Sequence, residues 1–113
     1  MKSNWYKIAF LSCLSILILG FSSCGEYQAI LKSKDTELKY QKALSYFNDK
    51  QYIKAQTLLD EVTSYYRGTD RSQDVLIYLS RSYMGQKNYT SAAEYYQAYI
   101  RNYPKGRYIA EAR

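Results

Sequence analysis

The chain matches itself at an offset of 37 residues, and no other feature restricts its fold as much. Tyr52, Ala55, Leu59, Val62 and Tyr66 recur as Tyr89, Ala92, Tyr96, Tyr99 and Tyr103, all apolar or aromatic, in steps of three, four, three and four residues. That spacing lays each set along one stripe of a helix, which must be buried against a neighbour. Upstream, Ala43 and Tyr46 answer Ser80 and Tyr83, and Lys50-Gln51 answers Lys87-Asn88. The repeating unit is therefore a pair of helices.

Punctuation in the sequence agrees with this division. Asp35 is placed to cap the first helix, and Asn48-Asp49-Lys50 is a polar turn ahead of Tyr52. Arg67-Gly68-Thr69 breaks the second helix, with Gly68 suited to a left-handed C-terminal position. Asp70, followed three residues later by Gln73, has the spacing of a capping box for the third helix. Gly85 and Asn88 bracket the next turn, and the lone proline, Pro104, closes the fourth helix. A fifth helix is expected to begin near Arg107.

These residues resemble the tetratricopeptide repeat (TPR), a helical hairpin of about 34 residues. Ala43, Tyr46, Tyr52 and Ala55 match its small and aromatic positions, as do Ser80, Tyr83, Tyr89, Ala92 and the closing Pro104. The first repeat has Arg67-Gly68 in place of its proline and a longer loop, which accounts for the wider offset. The resemblance implies an all-α, TPR helical-hairpin superhelix of about two and a half repeats. These run over residues 36–113, as 36–68, 70–104 and the start of a third at 106–113. Ala55 and Ala92 belong where paired helices cross closest, so Ala92→Leu should cost about 1–3 kcal/mol by overpacking.

The N-terminus reads as a targeting segment. Two lysines and no acid precede the apolar run Ile8–Leu19, whose twelve residues would rise about 18 Å, short of the roughly 30 Å hydrocarbon core. Gly20-Phe21-Ser22-Ser23-Cys24 resembles the lipobox of bacterial lipoproteins, with Phe21 where leucine is commonest. Acylation at Cys13 instead would leave an apolar run of only about five residues, fewer than a signal needs. The expected organisation is a signal peptide over 1–23, then a lipidated Cys24 and linker over 24–35. Two or three acyl chains at Cys24 would hold the protein on a bilayer effectively permanently. In the sorting rules that the lipoprotein resemblance implies, glycine directly after the cysteine, here Gly25, points to the outer membrane.

Composition narrows the function further. There is no histidine, and Cys13 and Cys24 are the only cysteines, so neither a metal site nor a disulfide framework is expected. Without Lys2 and Lys7 the chain carries 14 basic and 10 acidic residues, a net charge of +4, with the two signs interspersed. Such a surface suits no nucleic acid. No phosphate loop and no close carboxylate constellation supports an enzyme, and no cofactor is implied. Asp60 and Glu61, adjacent on a helix, point about 100° apart. Fourteen of the 15 tyrosines follow Cys24, in keeping with thin helical layers or a binding face.

A more specific resemblance lies in Cys24-Gly25-Glu26-Tyr27-Gln28, Leu31-Lys32-Ser33, Glu37 to Ala43, Tyr66-Arg67-Gly68-Thr69 and Tyr103-Pro104. Together these look like the N-terminal part of the Bacteroidetes form of the BamD family, lipoproteins of the outer-membrane β-barrel assembly machine. Members carry more repeats, so the chain is expected to be a fragment or a truncated gene model. The resemblance implies a lipid anchor in the outer membrane, facing the periplasm. It implies as partners a BamA-like barrel insertase subunit and unfolded outer-membrane proteins. In such superhelices the first helix of each repeat lines the concave face. Counting from the repeat starts places Tyr40, Leu44, Phe47, Asn48, Ile77, Arg81 and Met84 in a candidate client-binding groove. A precursor's terminal aromatic ring would lie on Tyr40 or Phe47, and its carboxylate on Arg81. The alternatives are a SusD-like glycan-binding lipoprotein and a general periplasmic TPR scaffold.

Overall fold

A computed structural model of the protein describes residues 25–113. The expected signal peptide over 1–23 and the candidate lipidation site Cys24 lie outside the described residues. Residues 25–32 are helical (α1) and fall in a separate unit from residues 33–113.

The second unit holds α2 (Thr36–Asn48), α3 (Tyr52–Tyr66), α4 (Arg71–Gly85), α5 (Tyr89–Asn102) and the short α6 (Ile109–Ala112). Each helix packs chiefly on its neighbours in sequence, α2 on α3, α3 on α4 and α4 on α5. Short turns make these neighbours antiparallel, which is the helical-hairpin array of a TPR-type fold.

Local chemistry sets the boundaries. Asp35 is extended, and its carboxylate accepts the Leu38 N–H at 3.1 Å, so α2 is capped as the sequence predicts. Both hairpin turns then close in the same way. The Lys50 N–H donates to Phe47 O at 2.9 Å and the Gln51 N–H to Tyr46 O at 2.8 Å. In the second repeat the Lys87 N–H donates to Met84 O and the Asn88 N–H to Tyr83 O, both at 2.9 Å. This pair of bonds is the Schellman arrangement, whose pivot residue must be left-handed. The pivots here are lysines, Lys50 at φ 62° and Lys87 at φ 60°. Gly68 takes the expected left-handed conformation, at φ 80°.

The expected capping box at Asp70 does not form. Asp70 is already in the right-handed helical region, and its side chain caps no backbone N–H. Its carboxylate instead receives Arg107 at 3.3 and 3.4 Å, with Gln73 Nε2 at 3.3 Å. A residue with helical backbone cannot take the extended conformation of an N-cap, so the carboxylate is left for these other partners.

The repeating stripes supply part of the core, to which α4 adds Val75, Leu76, Ile77 and Leu79. Ala55, Leu59, Val62 and Tyr66 are buried, as are Ala92 and Tyr99. Tyr89 departs from its counterpart, standing 60% exposed, whereas Tyr52 is half-buried. The ring of Tyr52 lies so close to Gly85 that a Cβ there would sit 2.5 Å from it. Among the described residues nothing takes the matching place over Tyr89. Gly106 answers a second close approach, since a Cβ on it would collide with the Tyr99 hydroxyl.

Candidate functional site

The first helix of each repeat, α2 and then α4, carries the residues expected to face a ligand. On α2, Phe47 meets Tyr52 edge-on with ring centroids 5.5 Å apart and Tyr78 with centroids 5.1 Å apart. One phenyl ring thus ties α2 to both α3 and α4. Leu44 and Phe47 are half-buried and Asn48 is exposed. On α4, Met84 is 45% exposed and Arg81 is half-buried. These five residues present surface.

Tyr40 and Ile77 do not. Tyr40 is buried, its ring edge-on to Tyr66 with centroids 5.7 Å apart. Burial is the main cause that pushes its hydroxyl up to about 12, with Asp74 adding to the effect. Ile77 is sealed in a cluster with Leu76 and Tyr99, packed against Tyr95, Tyr96 and Tyr108 among others. Sequence counting assigns both to the lining because it fixes a face of the helix, whereas the depth of a residue on that face depends on its neighbours.

Arg81 is not a bare cation awaiting a ligand. Its Nε and Nη2 donate to the two carboxylate oxygens of Glu111 at 2.9 and 2.5 Å, and Tyr96 Oη donates to the same carboxylate at 3.0 Å. The guanidinium also lies over the rings of Tyr78 and Tyr108, 5.2 and 5.4 Å from their centroids. Arg81's hydrogen bonds hold the Glu111 carboxyl below the usual range. An incoming carboxylate would have to exchange with Glu111.

This arrangement has two companions along the array. Arg71 lies over Tyr40 at 4.5 Å and Tyr66 at 5.2 Å and pairs with Glu37, which also accepts the Tyr66 hydroxyl at 2.8 Å. Gln41 and then Tyr66, through their hydrogen bonds, keep the Glu37 carboxyl below its ordinary value. Arg107 lies over Tyr108 at 5.4 Å and reaches Asp74 at 3.0 Å, and Asp74 accepts the Tyr108 hydroxyl at 2.8 Å. Each cluster combines an arginine, a tyrosine ring and a carboxylate, and each joins one repeat to the next. Exposed ion pairs taken singly contribute little, but an arginine stacked on a ring and bonded to a carboxylate is fixed in place.

Sequence reasoning missed Glu37, Arg71, Asp74, Arg107, Tyr108 and Glu111. For two of them a signal was available, because Glu37 and Asp74 stand at the same offset of 37 as the apolar stripes. Among the described residues, no group of three His, Cys, Asp or Glu side chains is placed to hold a metal ion. The arrangement suits binding through rings and fixed charges.

The fold and this face define a helical-repeat protein of the TPR type. The model of the outer membrane lipoprotein family YfiO matches residues 32–113, and the chain belongs to that family, the BamD-like one its sequence resembles. The match spans α2 to α6 in full. No curated protein matches the chain. Association with the outer membrane follows from the family.

Proposed function

We propose that the protein is a component of the machinery that assembles β-barrel proteins in the outer membrane, anchored through lipids on Cys24 and facing the periplasm. On this reading it has no catalytic role. It helps to receive unfolded barrel precursors and scaffolds a BamA-like insertase through contacts of its repeats. The observation that carries the proposal is the family match over every helix of the array.

Within the array, Leu44, Phe47, Asn48, Arg81 and Met84 form the ligand face, with Tyr40 and Ile77 as its support. An extended segment with an aromatic terminus would lay its ring beside Phe47 and Met84 and compete with Glu111 for Arg81. Affinity capture of the intact protein from membranes tests the assignment. A barrel insertase should accompany it, and its consistent absence from the captured material would contradict the proposal.

A further inference from the structure

The turns joining the two helices of each repeat lie along one edge of the unit. Tyr52, just after the first turn, covers Gly85 at the end of α4, and Gln86 Nε2 donates to Gln56 Oε1 across the same junction at 3.1 Å. Between the turns is a cleft of about 390 Å³, whose lining includes Lys50, Tyr52, Ile53, Lys54 and Gly85. Ile53 is 66% exposed there, a large aliphatic side chain set among cations.

The two left-handed pivots sharpen the observation. A left-handed position costs any residue except glycine roughly 1–2 kcal/mol, and asparagine is the usual second choice. Both pivots are nevertheless lysine, Lys50 and Lys87, and both are exposed. The turn segments 49–51 and 86–88 contain one carboxylate, Asp49. Positions whose backbone favours glycine thus carry two cations to one edge, beside an exposed isoleucine.

We propose that this edge contacts the surface of an anionic phospholipid membrane. The ammonium groups of the exposed Lys50 and Lys87 complement the headgroup phosphates, while Ile53 enters the interfacial layer. Long lysine stems let the charge stay at phosphate level as the neighbouring aliphatic group goes deeper. The inference concerns a different ligand from the assembly role. Its edge adjoins the proposed ligand face, where the Lys50 N–H meets Phe47 O and the Lys87 N–H meets Met84 O. Its test rests on the proposed lipid anchor.

The test uses the full lipid-anchored protein, with an environment-sensitive fluorescent amino acid replacing Ile53. A control protein carries it at Tyr65, an exposed residue about 18 Å away at the other end of α3. In vesicles of phosphatidylethanolamine and phosphatidylglycerol, emission from position 53 should shift to the blue and be quenched by spin-labelled lipid, while position 65 stays unchanged. Each lysine near such a surface changes the contact equilibrium about fivefold, so reversing both in Lys50→Glu/Lys87→Glu should lower contact about 25-fold or more. Replacing phosphatidylglycerol with phosphatidylcholine should do the same. Equal signals at the two positions, or indifference to charge reversal, would overturn the proposal. So would a shift that appears only when a membrane-protein fraction is added, which would give this edge to a protein partner.

Discussion

Replacing Tyr99 with phenylalanine removes one oxygen and leaves the packing volume almost unchanged, yet that oxygen joins three segments. The hydroxyl of Tyr99, on the fully buried ring of α5, donates to Gln73 Oε1 on α4 at 2.9 Å. It accepts the Tyr108 backbone N–H at 2.9 Å, just before α6. Two hydrogen bonds at roughly 0.5–1.5 kcal/mol each give an expected loss of about 1–3 kcal/mol for Tyr99→Phe. No cavity cost is added. For a unit of this size, a loss of about 2 kcal/mol corresponds to a fall in Tm of roughly 8–16 °C. Urea denaturation followed by far-UV circular dichroism measures it, with the transition slope unchanged. Gly106→Ala supplies a second check, because its new Cβ would collide with the same hydroxyl. In the Tyr99→Phe background that collision is relieved, though those with Gln73 Oε1 and Tyr103 Cβ remain, so the combined loss should fall short of the sum of the two. A loss below about 0.5 kcal/mol for Tyr99→Phe, or strict additivity with Gly106→Ala, would refute this account of the junction.

Other outcomes follow from the same structure. Ala92 is 1% exposed, so Ala92→Leu should destabilise by about 1–3 kcal/mol through overpacking, seen as a lower urea midpoint. Lys87→Gly should raise that midpoint, by about 0.5–1 kcal/mol of stability, because glycine accepts the left-handed pivot without strain. Burial pushes Tyr40, Tyr95 and Tyr96 up to about 12. A raised folded pKa means that their contribution to stability is complete below the ordinary tyrosine range near 10 and is lost as pH rises from there towards 12. Absorbance titration should accordingly show a late tyrosine step accompanied by unfolding.

Much of the fold can be read in the sequence because it rests on local periodicity. The stripe from Ala55 to Tyr66 and its counterpart around Ala92 and Tyr99 are buried as their spacing requires, and Asp35 caps α2 as its position suggests. The capping box at Asp70 fails because its backbone is already helical, and the partner its carboxylate takes, Arg107, lies 37 residues away and enters only through repeat-to-repeat packing. The same limit applies to the candidate face. Helical counting places Phe47, Arg81 and Met84 on the expected helices, but Ile77 is drawn into the Leu76–Tyr99 cluster and Arg81 is already held by Glu111. Tyrosine abundance is visible in composition. Its pairing with arginine and carboxylate is not, because Arg71 and Tyr40, or Arg81 and Tyr108, meet across separate helices.

On the proposed function, the face carrying Phe47, Asn48, Arg81 and Met84 receives barrel precursors. A photocrosslinking amino acid replacing the exposed Met84, in the intact protein in cells, reads this out, with Tyr65 as the control position. The probe at Met84 should capture newly exported outer-membrane barrel proteins, and the probe at Tyr65 should not. No capture from Met84, or equal capture from both positions, would contradict it.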